Sequence, residues 1–281
     1  MALRLSAVGE STGAHIHEYE ARDVMLYALG VGAKAERELD FLYEGRGPKV
    51  LPTYAVVPAW PAMEEVFDLI GGDLLGVVHG GQTIRLHRPF APEGRLVTVA
   101  RVDGLYDLKR MATGFVTTET RDADGTLIAE TTWHIIFRND GGFDGPRPPK
   151  RPRITVPADA APVFEWVEAT SPEQALLYRL SGDRNPLHAD PAIGEKAGFG
   201  KPILHGLCTF GYAGRAALHS LADGDPSRLV AMEASFQAPV WPGETLVIRG
   251  YSLDAGKFAL VATTKERPEE VVVGNAFVEI A

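Results

Sequence analysis

A carboxylate and an imidazole stand five residues apart in the segment 178–191, Tyr-Arg-Leu-Ser-Gly-Asp-Arg-Asn-Pro-Leu-His-Ala-Asp-Pro. Between Asp183 and His188 lies Asn185-Pro186, a pair that favours a turn and disfavours a helix. A turn can bring both side chains to one small volume, where they could hold a single water. Near neutral pH an aspartate is a base and a histidine can accept or donate a proton. The segment therefore indicates general acid–base addition or removal of water, with Asn185 orienting the water or the loop.

A second motif, Lys-Pro-Ile-Leu-His-Gly-Leu-Cys-Thr, follows at 201–209. Apolar and small residues then recur at helical spacing as far as Leu221, which predicts a helix that begins near Gly206. The first amides of a helix lack internal partners, and the helix dipole there favours negative charge. Because Gly206 has no side chain, a ligand oxygen can approach its N–H closely and be stabilised as an anion. Acid, base and anion donor together suit conjugate addition of water to an unsaturated thioester.

These two motifs resemble the signature of the (R)-specific 2-enoyl-CoA hydratases, the hydratase 2 or MaoC-like family. Segments of the first half, at 24–33, 41–45 and 78–82, are similar to the hydratase 2 domain of peroxisomal multifunctional enzymes. The resemblance implies a hydro-lyase that adds water reversibly, with syn geometry, to a trans-2-enoyl-CoA to give (3R)-3-hydroxyacyl-CoA. Coenzyme A would then be part of the substrate, no separate cofactor would be needed, and a homodimer is expected.

The same resemblance implies a set of substrate-binding residues outside the two motifs. Contacts with the coenzyme A thioester are expected from His79, Gly80 and Lys109 in the first half and from Phe236 in the second. Glu44 matches a glutamate that is important for function in the family. The first half would be a degenerate repeat that makes room for a bulky acyl chain.

The stretch 141–153 is rich in proline, glycine and basic residues, a composition that is typical of a linker. We predict an N-terminal repeat over 1–140, a linker over 141–157 and a C-terminal repeat over 158–281. The two halves are similar in sequence at one place, where Leu-Tyr-Ala-Leu at 26–29 matches Leu-Tyr-Arg-Leu at 177–180. Helices followed by groups of strands are typical of an α+β fold with antiparallel sheets. The resemblance implies a tandem (double) hotdog fold, with two antiparallel sheets each wrapped on a helix as a pseudo-dimer within one chain.

Alternating segments separated by turn residues predict strands in both halves. We expect them over 83–88, 96–102, 113–120, 127–137, 231–238, 245–253, 258–264 and 271–280. Thr170-Ser171, followed by Pro172 and Glu173, predicts a capped helix start.

Composition excludes several classes of protein. A net charge of −9 over 281 residues argues against nucleic-acid binding. Phosphates of coenzyme A would then need a local basic patch, for which Lys196, Lys201 and Arg215 are candidates by their place in the sequence. One cysteine excludes an internal disulfide and fits a reducing compartment. With no signal-peptide core, no apolar run long enough to span a membrane and no Ser-Lys-Leu-type ending, a cytoplasmic protein is expected.

Three alternatives remain open from the residues. A metal site at Asp183, His188 and Asp190 lacks a further cluster of histidine or cysteine, so we predict no metal. A hotdog acyl-CoA thioesterase and a non-catalytic acyl-CoA-binding protein are the rival functions.

We expect His205 to fix the loop and Cys208 to lie in the core. The sequence does not determine whether the acyl chain of the substrate is fatty or sterol-derived.

Overall fold

A computed structural model describes residues 2–157 and 159–281, which form six α-helices and ten β-strands. The helices are α1 (Ala21–Gly30), α2 (Ala35–Glu38), α3 (Val56–Ile70), α4 (Gln174–Tyr178), α5 (Pro191–Lys196) and α6 (Gly206–Ala222). The first-half strands are β1 (His15–Tyr19), β2 (Val77–Leu86), β3 (Gly94–Asp107), β4 (Ala112–Asp122) and β5 (Leu127–Phe137). The second-half strands are β6 (Phe164–Ala169), β7 (Leu229–Phe236), β8 (Thr245–Asp254), β9 (Lys257–Thr264) and β10 (Val273–Ile280). None of the described helices is long and apolar enough to cross a membrane.

All ten strands belong to one antiparallel sheet with the order β1-β3-β4-β5-β2-β7-β10-β9-β8-β6. The first five come from the first half, and the last five repeat their order in mirror image. The halves meet where β2 pairs with β7, in a register that runs from Gly81 opposite Ser235 to Arg85 opposite Ala231. The double hotdog fold is confirmed, and its two five-stranded sheets continue into each other through this pairing.

Helices α3 and α6 are the long helices of the two halves. Helix α3 buries Ala59, Met63, Val66 and Ile70 at spacings of three and four residues, so that one face packs on the sheet. Helix α6 is buried continuously over 207–218, as expected of a central helix. Its glycines allow other segments to approach, because a Cβ at Gly211 or Gly214 would overlap side chains of the first half. The helix that begins at Gly206 is therefore held by both halves.

The predicted helix start at Gly206 is confirmed, and the predicted strands are present. In the first half β3 and β4 extend beyond the predicted bounds at both ends, whereas β2 both begins and ends earlier than predicted, at Val77 and Leu86. Strand β2 begins at Val77 because a bulge between His79 and Gly81 lets the two glycines there continue the pairing. The helix predicted to start at Thr170-Ser171 begins three residues later, with Glu173 at the N-cap of the short helix α4. Gln174 donates its N–H to the Ser171 carbonyl, and Gln174 Oε1 accepts the Ser171 N–H at 3.5 Å, so this segment forms a turn that leads into α4.

The predicted linker contains neither helix nor strand in its described residues. It lies on strands of both halves, since the Arg151 guanidinium stacks 5.2 Å from the centre of the Phe115 ring. Farther along, the Ile154 N–H donates to the Asn275 side chain at 2.8 Å. The bounds of the two repeats on either side of this segment stay a prediction.

Candidate active site

A cavity of about 690 Å³ is lined by residues from both halves of the chain. The structure brings all four candidate catalytic residues to it, together with two of the candidate substrate-binding residues. These six are Asp183, Asn185, His188, Gly206, His79 and Phe236.

The loop that carries the carboxylate is shaped by its own side chains. Asp183 Oδ1 accepts the N–H of Asn185 at 3.0 Å, and Asn185 Oδ1 accepts the N–H of Leu187 at 3.0 Å. Asn185 thereby caps a single 3₁₀ turn at 186–188, whose first residue is Pro186. The turn places His188 against the cavity. The side-chain oxygen of Asn185 therefore orients the loop, whereas its side-chain nitrogen forms no hydrogen bond within the described residues.

His188 is held in one tautomer. Its Nδ1 lies 2.8 Å from the Ile203 carbonyl oxygen. A carbonyl only accepts, so Nδ1 must carry the proton and the lone pair of Nε2 stays free. Burial lowers the pKa of His188, although the negative charge of Asp183 acts in the opposite direction. Burial raises the pKa of Asp183, although the neighbouring His188 acts in the opposite direction. Near neutral pH the site therefore contains a neutral imidazole with its free nitrogen available as a base.

His205 connects the two catalytic residues. Its Nε2 donates to the backbone carbonyl of Asp183 at 3.1 Å, and its ring stacks on that of His188 with centroids 3.6 Å apart. The ring is 1% exposed, and burial holds its pKa well below the usual range. A neutral His205 thus fixes the carboxylate loop from one side and the imidazole from the other, as the sequence predicts.

The carboxylate and the two imidazoles are close enough to share one small ligand. A carboxylate oxygen of Asp183 and one ring nitrogen each of His188 and His205 lie within 4.8 Å of one another. One water can bridge groups at this separation, because its hydrogen bonds are about 2.8 Å long. A metal ion fits less well, since the two rings stack with an interplanar angle of 26° and their lone pairs do not converge. Asp190, the third ligand of the metal alternative, instead caps α5 through the Ala192 N–H.

Gly206 opens α6 beside these groups. The N–H groups of Cys208 and Thr209 donate to the His205 carbonyl. The N–H of Gly206 itself has no hydrogen-bond acceptor within the described residues. A Cβ at Gly206 would lie 2.9 Å from Cδ2 of Phe236, so the amide and this ring form adjacent parts of the cavity wall. An oxygen of a bound thioester can reach this amide only because the glycine leaves the space open.

Aromatic rings build the rest of the wall. His79 stacks on Trp133 with centroids 5.1 Å apart, and Phe236 meets His79 edge-on at 5.2 Å. Burial lowers the pKa of His79 to about 3, so this ring is neutral. Trp60 and Trp133, which belong to no motif in the sequence, both line the cavity. Tryptophan is common in cores and in pockets alike, so the sequence carries no signal that separates the two roles.

The other candidate binding residues lie elsewhere. Gly80 follows His79 in the bulge of β2 but does not line the cavity. Lys109 lies in the turn between β3 and β4, where its N–H donates to Asp107 Oδ1, and Glu44 opens an exposed 3₁₀ turn at 44–46. Neither Lys109 nor Glu44 lines the cavity. Their substrate-binding roles therefore have no support from this geometry.

Arg215 is wrong as a candidate for binding the phosphates of coenzyme A. Its side chain is fully buried, with Nε 2.9 Å and Nη2 2.5 Å from the two carboxylate oxygens of Glu38. Nη1 donates to the Val31 carbonyl at 2.6 Å. A guanidinium that is fully buried among these acceptors, and that does not line the cavity, cannot reach a phosphate there. Cys208, in contrast, lies in the core as expected, and burial raises the pKa of its thiol well above the usual range.

Comparison with known proteins matches both halves of the chain. Residues 17–139 match the MFE-2 hydratase 2 N-terminal domain, and residues 153–271 match the MaoC like domain. The chain is 42% identical over 255 residues to 3-hydroxyacyl-thioester dehydratase Y of Mycobacterium tuberculosis, covering 88% of this chain and 86% of that protein. It is 35% identical over 280 residues to the peroxisomal enoyl-CoA hydratase 2 of Arabidopsis thaliana, covering 92% and 89%.

A solved structure agrees with these sequence matches. The crystal structure of a MaoC-like dehydratase from Phytophthora capsici has a TM-score of 0.86 and 30% identity, covering 97% of this chain and 96% of that one. Sequence identity and fold thus agree over nearly the whole length of both proteins. The chain belongs to the MaoC-like hydratase 2 family.

Proposed function

We propose that this protein is an (R)-specific enoyl-CoA hydratase, which adds water reversibly to a trans-2-enoyl-CoA to give (3R)-3-hydroxyacyl-CoA. The observation that carries the proposal is the meeting of Asp183, a tautomer-fixed His188 and the free amide of Gly206 at one cavity. The names of the relatives, an enoyl-CoA hydratase 2 and a 3-hydroxyacyl-thioester dehydratase, support the same chemistry.

The catalytic step begins with a water held between the Asp183 carboxylate and Nε2 of His188. The water oxygen attacks C3 of the enoyl thioester while one of its protons passes to the pair. The pair returns one proton to C2 from the same face, so a single water molecule is added across the double bond and the pair is regenerated. The two groups titrate together, and the step belongs to the pair rather than to either residue alone.

The thioester oxygen gains negative charge as C3 is attacked. The Gly206 N–H is placed to stabilise this charge, and the dipole of α6 adds to the effect. Donors of this kind contribute about 10²–10³-fold to turnover in measured cases. The addition changes no oxidation state that would need an external electron carrier. It therefore uses no cofactor besides the coenzyme A that forms part of the substrate.

The experiment follows the absorbance of the enoyl thioester and the release of free thiol in parallel, with the product resolved on a chiral column. Hydration predicts loss of the enoyl chromophore without thiol and a 3R product. Thiol release with the chromophore intact would instead establish a thioesterase. Tight binding of enoyl-CoA with neither change would establish a non-catalytic binding protein. Running short, medium and bulky enoyl-CoAs side by side also determines the acyl chain that the cavity accepts.

Two further properties belong to the proposal, a cytoplasmic location and a homodimer. A cytoplasmic location agrees with the single buried cysteine, which needs no oxidising compartment. Cell fractionation tests it, and recovery in an organelle would refute it. A homodimer follows from the family resemblance, and light scattering of the purified chain at micromolar concentration decides between monomer and dimer.

A further inference from the structure

The residues directly before α6 and at its start make three contacts on which the proposed reaction depends. The carbonyl of Ile203 accepts the Nδ1–H of His188 and thereby fixes the tautomer of that imidazole. His205 donates to the backbone carbonyl of Asp183, and the free N–H of Gly206 lies at the cavity. A small displacement of this segment would therefore disturb the imidazole, the carboxylate loop and the anion donor at the same time.

One backbone hydrogen bond connects this segment to the loop between β7 and β8. The N–H of Leu204 donates to the carbonyl of Val240 at 2.7 Å, and both residues are buried. Residues 200–204 lie in neither a helix nor a strand, and across the described residues they form no other backbone–backbone hydrogen bond. The position of the segment therefore depends on where the loop holds Val240.

The loop that carries Val240 is held by one arginine. Arg267, between β9 and β10, donates from Nη2 to the Pro239 carbonyl at 2.7 Å. Its Nε and Nη2 lie 2.9 and 2.8 Å from the two carboxylate oxygens of Glu244, and its guanidinium carbon lies 4.6 Å from the centre of the Trp241 ring. Glu244 also accepts the backbone N–H of Trp241 at 2.9 Å. Arg267 thus fixes the residues on both sides of Val240.

The guanidinium acts at a distance from the reacting groups. Its side chain is 24% exposed and that of Glu244 is 13% exposed, so the pair is largely shielded from water. The bidentate contact with Glu244 holds the planar fork in one orientation. Pro239 and Val240 line the cavity, whereas Arg267 does not. Any effect of Arg267 on the reaction must therefore pass through the loop.

We propose that Arg267 is a positioning residue for hydration, which keeps the start of α6 and the imidazole of His188 in place through the loop between β7 and β8. This inference rests on the proposed function for the identity of the reaction. The connection passes from Val240 to Leu204 and then to the neighbouring carbonyl of Ile203. Since misplacement of catalytic groups by about 1 Å can cost about 10²-fold in rate, loss of this support lowers kcat although the guanidinium contacts no reacting atom.

The kinetic test measures kcat and KM for hydration of one trans-2-enoyl-CoA by Arg267→Met, which removes the donors but keeps an apolar stem. We expect kcat to fall about 10- to 100-fold and KM to change less than about threefold, because most of the cavity wall is unchanged. Arg267→Lys keeps the charge but not the planar fork, so it should recover only part of kcat. The control is Arg249→Met, which removes an ion pair with Glu165 outside the cavity and should keep kcat within about twofold.

Two further measurements do not need turnover. Nitrogen chemical shifts of the histidine side chains, with the His188 signal assigned from His188→Gln, report its tautomer. We expect the Nδ1–H tautomer in the wild type and in Arg249→Met, and a mixture of both tautomers in Arg267→Met. Deuterium exchange of the Leu204 N–H should be at least about tenfold faster in Arg267→Met than in Arg249→Met. Both changes would support the positioning role even if the wild type hydrated no enoyl thioester.

An unchanged His188 tautomer together with unchanged exchange at Leu204 would overturn the inference, whatever the value of kcat. A kcat within about twofold of that of an active wild type in Arg267→Met would likewise overturn the role in hydration. If Arg267→Met does not fold, Arg267→Lys replaces it in all three measurements, with changes in the same direction and the same refuting results.

Discussion

Replacing Gly206 by alanine tests the role of the helix amide without removing it. The N–H donor is retained, and alanine is favoured over glycine inside a helix by up to about 1 kcal/mol. The backbone there is helical, so the new side chain meets no conformational strain. What changes is the space in front of the amide, because a methyl group now stands where the thioester oxygen should approach.

The structure sets the size of the effect. The new Cβ would lie 2.9, 3.0 and 3.2 Å from three carbons of the Phe236 ring, whereas carbon atoms normally pack at about 3.5–4.0 Å. The ring must shift by several tenths of an ångström, but it already rests edge-on against His79. Overpacking of this kind costs about 1–3 kcal/mol, which the gain in helix propensity partly offsets. A thioester kept from the amide should lose about 10²-fold in kcat, the lower end measured for loss of an oxyanion donor.

The assay measures kcat for hydration and the free energy of unfolding in urea for Gly206→Ala. We expect the large loss in kcat with a change in stability below about 2 kcal/mol. Gly13→Ala, whose Cβ would meet only a Glu65 oxygen at 3.8 Å, is the control. Adding Phe236→Leu should make room and restore part of the rate. Turnover within twofold of wild type in Gly206→Ala would refute the placement of the thioester oxygen at this amide.

Further predictions concern the catalytic pair and the buried ion pair. Asp183→Asn and His188→Gln should each lower kcat at least 10²-fold, and a loss below tenfold in both would exclude the shared-water mechanism. Because burial lowers the pKa of His188 from 6.5, protonation of His188 should reduce the rate only at pH values below about 6.5, and an acid limb above pH 7 that disappears in His188→Gln would contradict this. Arg215→Met should cost about 3–5 kcal/mol in urea unfolding by leaving Glu38 buried without its cation, and adding Glu38→Gln should recover much of it.

The catalytic loop could be predicted because its chemistry and its local structure depend on the same residues. Asn185-Pro186 specifies the turn that Asn185 caps, and the turn then sets the spacing of Asp183 and His188. The start of α6 could be predicted for a similar reason, since helical periodicity begins directly at Gly206. Both features are local in the chain, so no knowledge of the remaining fold is needed.

Contacts made through the backbone or across the fold could not be predicted. The tautomer of His188 depends on the carbonyl of Ile203, a group that every residue type offers. Arg138 reaches the cavity because β5 ends there, and no motif surrounds it. The error at Arg215 has the same origin: closeness to Gly206 in sequence suggests a phosphate ligand, but its carboxylate partner lies 177 residues away.

The pseudo-symmetry of the fold offers two equivalent places for an active site. In each half the loop after the first helix packs on the long helix of the other half. Gly182 approaches Trp60 of α3, and a Cβ there would meet the indole at 3.4 Å. Gly32, 150 residues earlier, approaches Tyr212 of α6 so closely that a Cβ would overlap the ring.

Only one of these two places keeps the groups needed for hydration. In the alignment that pairs Gly32 with Gly182, which is shifted by one residue from the match of 26–29 with 177–180, Asp183 stands opposite Ala33 and His188 opposite Glu38. Glu38 does not face a cavity; its carboxylate is fully buried against Arg215 of the opposite helix. Charges removed from water in this way require each other, because either one alone would be strongly destabilising. At these aligned positions the first half therefore has, in place of the carboxylate and the imidazole, a member of a buried ion pair that joins the two halves.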